Sequence, residues 1–295
     1  MFSSKLQTLF SVALLAVCCG AVSAQAQSTF SFKNISYMGD LTFTQLLGIN
    51  NAGTIAGYHG ATINKGFVLT LPLTFTNENF PNSAQTQVIG INNKGNTDGF
   101  YVDNAGVTHG FLDTKGVFTT VDFAGTTFNQ LLGLNDAGVA SGYYADAQGN
   151  DHAYTYLGGK FTLISTPGVS AQATGINNEN QISGFYVDTA GINHGFLITN
   201  GTLATLDYPG ATFTQALGVN NLNEVVGTYM DASGNTHGFL YDVTANVYES
   251  VNDPSNVDNT VINGINDEGQ IVGFFTEATS GNTHGLVGTL VRCTP

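Results

Sequence analysis

Five histidines, His109, His152, His194, His237 and His284, each stand a few residues after an acidic turn residue: Asp103, Asp146, Asp188, Asp231 and Glu277. Imidazole beside carboxylate can serve general acid–base chemistry, ligate a metal, or hold a neighbouring loop by a hydrogen bond. Their spacing decides between these roles. One equivalent histidine per repeat is spread around the molecule, too dispersed for a single tetrahedral metal site. The expected role is architectural, each imidazole bonding an adjoining strand or loop. The carboxylates also invite calcium as a cofactor, since Asp146, Asp151 and the backbone between them supply hard oxygen donors. The EF-hand spacing is absent, however, and Asp followed by Gly is equally what a plain hairpin turn requires. No Gly-x-Ser-x-Gly elbow, His-Glu-x-x-His helix, phosphate-cradling glycine loop or paired cysteine motif occurs. The motifs therefore assign no catalytic residue and no metal ligand. A catalytic set assembled from distant repeats needs no local motif, so an enzyme stays open.

Three further columns of residues recur with the repeat. One is aromatic and reads His59, Tyr101, Tyr144, Tyr186, Tyr229 and Phe275, with the acidic turn residues two positions further along. Another reads Gln45, Gln87, Gln130, Gln172 and Gln215, and breaks at Val261. The third, Phe43, Phe128 and Phe213, appears only in alternate repeats, at steps of 85 residues. Aromatic faces beside amides and carboxylates suit a sugar, whose C–H faces stack and whose hydroxyls need few polar anchors. On this reading Phe43, Phe128, Phe213, His59, Tyr101, Tyr144, Tyr186, Tyr229, Gln130 and Gln215 are the candidate ligand-binding residues. The competing reading packs the tyrosine column between structural units with only its hydroxyls showing.

Elements to position these columns follow from the strongest signal in the chain. Gly-Ile-Asn at Gly48-Ile49-Asn50 returns, with conservative changes, at Gly90, Gly133, Gly175, Gly218 and Gly264, in steps of 42, 43, 42, 43 and 46 residues. Each repeat holds four short runs rich in Thr, Val and aromatics, separated by Gly, Asn and Asp. In the third these are Val117 to Asp122, Phe128 to Asn135, Val139 to Tyr144 and His152 to Leu157. Such composition marks strands and tight turns. Asn180 and Asn223 stand where other repeats have the turn glycine, as expected of the residue that best tolerates left-handed backbone after glycine. Four strands in about 43 residues predict the blade of a β-propeller. The expected fold is thus all-β: six four-stranded antiparallel blades, with the Gly-Ile-Asn strand innermost. The chain opens on an outer-type strand, Phe30 to Tyr37, and closes on one of the third type, His284 to Leu290. Pairing these two would seal the ring and hide both edges. Strand direction then puts the Gln, Phe and Tyr columns on one face, as a shallow funnel.

Residues 1–26 carry Lys5, an apolar stretch from Leu9 to Val17, and small residues around Ala24 and Ala26, the pattern of a signal peptide. Residues 27–295 are expected to form one six-repeat domain that is secreted, extracellular, periplasmic or at the cell surface, with no further membrane-spanning segment. Lys and Arg number 7 against 21 Asp and Glu, a formal net charge of −14. That balance opposes nucleic-acid binding and attraction to anionic membranes. Cys18 and Cys19 lie in the leader, which leaves Cys293 without an internal disulfide partner.

The tripeptides His109-Gly110-Phe111, His152-Ala153-Tyr154, His194-Gly195-Phe196, His237-Gly238-Phe239 and His284-Gly285-Leu286 recur once per repeat. Together with Asp207-Tyr208-Pro209-Gly210-Ala211 and the Gly-Ile-Asn core, they resemble the bacterial probable extracellular repeat family named for a His-Ala-Phe tripeptide (HAF repeats). The resemblance covers residues 30 to 290 and departs in the first repeat, where Lys65-Gly66-Phe67 stands in place of the histidine motif. It implies an exported repeat protein and carries over no activity. The leading expectation is an exported, non-catalytic propeller that binds a neutral or cationic extracellular molecule, plausibly a glycan or another macromolecule, through one face. The alternatives are an extracellular lyase or hydrolase with a carboxylate or metal site at the funnel, and a structural surface protein that associates with copies of itself.

Overall fold

The computed structural model describes residues 29–253 and 259–291; the expected signal peptide over residues 1–26 and all three cysteines lie outside them. The described chain forms six antiparallel four-stranded sheets arranged as the blades of a propeller, as the repeat spacing requires. No helix occurs among the described residues, and none is long and apolar enough to cross a membrane. The innermost strands of blades 1 to 6 are Thr44–Ile49, Gln85–Ile91, Asn129–Leu134, Ser170–Ile176, Phe213–Val219 and Thr260–Ile265. In blades 1 to 5 each runs outward through three hairpins to an exposed edge strand, such as Val117–Val121 in blade 2.

Blade 6 takes its outer strand from the start of the chain. Thr29–Ile35 pairs antiparallel with Thr283–Val291, in a register that sets Phe30 against Leu290 and Ile35 against Gly285. Ile35 is 1% exposed and joins Leu46, Phe67 and Val287 in the seam between blades 6 and 1. The sequence extends this strand to Tyr37, but the structure ends it at Ile35. Tyr37 turns off the sheet to stack on His59, with ring centroids 3.7 Å apart.

The core lies between blades rather than within one. The aromatic of each repeat tripeptide, Phe67, Phe111, Tyr154, Phe196 or Phe239, is fully buried, and Leu286 fills that place in blade 6. Where the sequence replaces the turn glycine by asparagine, the backbone is left-handed, with φ of 57° at Asn180 and 63° at Asn223.

Around the axis two features close the ring. First, the inner-strand glycines touch one another. A Cβ on Gly133 would lie 3.0 Å from the Cα of Gly175, and one on Gly218 would lie 3.2 Å from the Cα of Gly264, so no side chain fits at this level. Second, each asparagine of the Gly-Ile-Asn motif donates from Nδ2 to the backbone carbonyl of its counterpart in the next blade. The links run from Asn50 to Asn92 (3.1 Å), on through Asn135, Asn177 and Asn220 to Asn266, and from Asn266 back to Asn50 (2.9 Å). The same side chains fold their own turns, as Asn50 Oδ1 accepts the N–H groups of Ala52 and Thr54. A second ring runs just outside. The N–H of Asn51 donates to Asn93 Oδ1 and that of Asn93 to Asp136 Oδ1, and so on round to Asp267, whose N–H donates to Asn51 Oδ1.

One place on the second strand of each blade lies against the glycine ring. It holds Ala56, Val226 and Val272 in three blades, Ser141 and Ser183 in two, and Asp98 in blade 2. Asp98 is completely buried, accepts the N–H of Gly90 at 2.8 Å, and leaves Oδ2 without a partner. Burial pushes its carboxyl up to about 7, although backbone N–H bonds oppose the shift. Glu78, bonded to Thr97, is also raised to about 7 by burial.

Two outcomes follow from this architecture. Removing the chain through Ile35 should leave Thr283–Val291 as an open edge and vacate a buried position. The melting temperature should drop by about 5–10 °C or more and aggregation should set in, read by thermal melts and light scattering. Asp98 and Glu78 bind protons more tightly folded than unfolded, so the stability they contribute is full below about pH 4 and is lost as pH rises through 7. For Asp98 alone the change is about 4 kcal/mol. Asp98→Ser, which places the blade 3 and 4 residue in blade 2, should therefore raise the melting temperature at pH 8 and do little at pH 5. Melts across that range test it.

Candidate binding channel

Inside the ring, a cavity of about 530 Å³ opens on the face where the inner strands begin. The first layer from the mouth is the glutamine column, Gln45, Gln87, Gln130, Gln172 and Gln215, with Val261 in blade 6. Below it lie Leu47, Ile89, Leu132, Thr174, Leu217 and Asn263, and then the glycine ring narrows the channel. The opposite end holds a cavity of only about 70 Å³, lined by the two asparagine rings, and Ile49, Ile91, Leu134, Ile176, Val219 and Ile265 border both cavities. The channel is therefore a wide well above a narrow throat.

The glutamines are held in two ways, and this sets what each offers. In blades 1 and 3 a tyrosine hydroxyl donates to the side-chain carbonyl: Tyr58 to Gln45 at 2.6 Å and Tyr143 to Gln130 at 2.9 Å. Their NH2 groups remain for a ligand. In blades 2, 4 and 5 the NH2 group is the one engaged, by a residue of the preceding blade. Gln87 donates to Asn64 at 2.6 Å, Gln172 to Asp151 at 2.7 Å and Gln215 to Asn193 at 3.1 Å. Their carbonyls remain. The well thus presents donors on one pair of blades and acceptors on three others, above an apolar layer. Burial raises the Tyr58 hydroxyl to about 12, so it stays a proton donor.

The sequence-chosen residues separate into two groups. Gln130, Gln215 and Phe213 line the well, as the funnel reading expected. Phe43 and Phe128 sit half-buried at its edge, packed on Tyr58 and Tyr143 with centroids 5.7 and 5.8 Å apart. Blade 5 has Thr228 at the corresponding position, and there Phe213 turns into the well. The other aromatic column faces away from the axis. Tyr101, Tyr186 and Tyr229 are buried in the seams between blades, and Tyr144 and His59 are half-buried there. Their hydroxyls bond outward, Tyr101 to Thr120, Tyr186 to Thr205 and Tyr229 to Ser250, and not toward the well. Rings held in this way have no face free for a ligand, which corrects the placement of this column in the funnel. The aromatics that do border the well stand one residue earlier, at Tyr58, Phe100, Phe185 and Phe274. Cross-strand pairing fixes this, since Tyr58 is registered with Gln45, Phe100 with Gln87 and Phe185 with Gln172.

The buried column is one layer of a stack. In blades 2 to 6 the ring has a histidine on one side, and in four blades an aromatic from the preceding inter-blade loop lies on the other. In blade 3 Tyr144 is 4.9 Å from His152 and 4.0 Å from Phe123; in blade 5 Tyr208 lies 3.6 Å from Tyr229. The histidines in turn bond to the acidic turns. His152 is 2.9 Å from Asp146, His237 is 3.1 Å from Asp231, and His194 lies between Asp188 (3.4 Å) and Asp207 (3.0 Å). In blade 6 the residue after the closing strand supplies a partner, Ser36 Oγ, at 2.9 Å from His284. Backbone N–H groups and His237 hold Asp231 down at about 2, while hydrogen bonds that Asp207 and Asp188 accept raise His194 against its burial. Asp146 uses its oxygens within its own turn, on the N–H groups of Gln148 and Asn150 and on His152. No group of three or more His, Cys, Asp or Glu side chains is arranged to hold a metal ion among the described residues.

The sequence matches no family model and no curated relative. Solved structures do resemble it. Putative TolB from Agrobacterium tumefaciens aligns with a TM-score of 0.63 at 11% identity, over 90% of this chain and 99% of that one. A fungal lectin, Aleuria aurantia lectin, described as a six-bladed β-propeller with a fucose recognition mode, aligns with a TM-score of 0.52 at 12% identity, over 91% and 97%. Pyrococcus horikoshii acylaminoacyl peptidase aligns at 0.52 and 13% identity over 84% of this chain, but only 44% of its own. These likenesses are of fold. The chain is a six-bladed β-propeller.

If the histidines act through the stack and the turns, His194→Ala should lower the melting temperature by about 2–4 °C. Its raised pKa gives the sign: the charge-dependent part is present below the ordinary histidine value of 6.5 and fades as pH rises through the folded value. The deficit against the unaltered protein should therefore be larger at pH 5.5 than at pH 8.5, as read by paired melts.

Proposed function

We propose that this chain is an exported, non-catalytic propeller that binds a glycan in the wide end of its central channel. The observation that carries the reading is the make-up of the well. About 530 Å³ is the size of one or two sugar rings plus water. Amide donors and acceptors ring its mouth, aromatic side chains stand beside them, and an apolar layer lies beneath. Sugars are bound by this combination of stacking on C–H faces and a few fixed polar groups. The signal-peptide pattern over residues 1–26 supports export, and the His-Ala-Phe-type repeats resemble an extracellular family. The fungal lectin contributes an example of the same fold whose description names fucose, and at 12% identity nothing finer.

A glycan-array screen of the purified protein tests the ligand class. Titration of the best hit then tests the site. Phe213→Ala and Gln130→Ala should together weaken binding by about 2 kcal/mol or more, roughly thirtyfold, with little change in melting temperature because both side chains face the well. Phe128→Ala should instead cost stability through lost packing on Tyr143. Unaltered affinity in the double variant would take the well out of consideration as the binding site.

A further inference from the structure

Asp151 stands apart from its counterparts. The residue before the repeat histidine, or before Lys65 in blade 1, is Asn64, Thr108, Asp151, Asn193, Thr236 or Thr283, and Asp151 alone among them is ionisable. Thr236 lines the well in blade 5, and Asp151 stands one side chain behind the wall, bonded at 2.7 Å to Gln172, which lines it. Asn64 and Asn193 hold the glutamine of the next blade through a neutral amide oxygen, as Asp151 holds Gln172 through Oδ2. Holding a glutamine therefore needs no charge. The negative charge at Asp151 is surplus to that structural task, and half-burial makes it costly to keep unpaired. Burial accordingly raises its carboxyl, and Gln172 and His152 offset this only in part.

No lysine answers it, and His152, whose Nε2 is on Asp146, offsets it only in part. Among the described residues, Lys94 and Lys115 lie in turns of the opposite face, Lys160 opens the outer strand of blade 3 there, and Lys33 lies within the closing strand, bonded to Pro72. Lys65 is the lysine on the mouth face, two blades away, with its Nζ on the Ala84 carbonyl. The strand ends of that face carry Asp103, Asp122, Asp146, Asp188, Asp207 and Asp231. Such a field repels anions and concentrates cations at a concave mouth.

From this placement we infer that the well selects saccharides bearing a free primary amine, with the ammonium bound at Asp151 between the blade 3 and blade 4 glutamines, and rejects uronate-bearing glycans. The inference rests on the channel being the glycan site. Gln130 would contact neighbouring hydroxyls through its free NH2 group, and Gln172 through its free carbonyl. An ammonium there gains a charge-assisted bond to a carboxylate that otherwise has a single side-chain partner.

Calorimetric titration of the purified protein with β-1,4-linked glucosamine oligomers, their N-acetylated counterparts and oligogalacturonate tests this. The free-amine oligomers should bind about tenfold tighter than the acetylated ones at low salt, with the preference shrinking as salt is added. Oligogalacturonate should show no binding. In Asp151→Asn, which keeps the bond to Gln172 as Asn64 and Asn193 keep theirs, the preference should collapse to about one. Equal binding of the two oligomers, or a preference that survives in Asp151→Asn, overturns the amine assignment and leaves the glycan reading standing. If no oligomer binds and the glycan array is also blank, the glycan reading falls and takes this inference with it.

Discussion

Everything in the molecule hangs on how closely six strands can approach one axis. Backbone must meet backbone at the glycine ring, and each strand brings polar groups that have no sheet partner there. The asparagine one turn below answers this need. Its NH2 group bonds the next blade's carbonyl while its side-chain oxygen closes its own turn, so one residue type satisfies the turn and the seam together. Each such bond contributes only about 1 kcal/mol net, but leaving the buried groups unmatched would cost more. The repeat is therefore strict at Gly and Asn and loose elsewhere.

The fold was legible because its rules are local and repeated. Period, turn residues and the mismatched chain ends lead to six blades and to the closing strand. The site was half legible. Gln130 and Gln215 alternate with Leu131 and Ala216, so pattern alone shows that the polar and apolar residues face opposite ways. On the second strand the pattern is silent. Phe100-Tyr101, Tyr143-Tyr144, Phe185-Tyr186 and Phe274-Phe275 are aromatic at both positions, and hydropathy cannot say which ring meets the axis. The information lies in the pairing, and the inner strand carries a register shift at each glycine, as between Leu131 and Gly133. Counting residues from the turn across that irregularity loses the phase.

The same seams explain why histidine is so regular without forming a cluster. Each imidazole of the repeat tripeptides packs on the aromatic ring of its own blade and reaches a carboxylate at the blade's edge. It is a clip between a packed interior and a polar rim, repeated by symmetry. Asp98 is the departure from that symmetry. A carboxyl occupies a place where other blades have Ala, Ser or Val, and with Glu78 it links the stability of the fold to pH.

The asparagine links have a direction: every blade donates forward and accepts from behind, and the last link, Asn266 to Asn50, is of the same kind as the rest. A ring made of identical one-way links has no first member. What marks a beginning is only the closing strand, whose partner residues Thr29 and Val291 lie opposite each other in register. Joining the chain there and cutting it in another inter-blade loop would leave every axial link intact. The order of the blades along the gene is thus a matter of descent, and the order around the axis is a matter of physics.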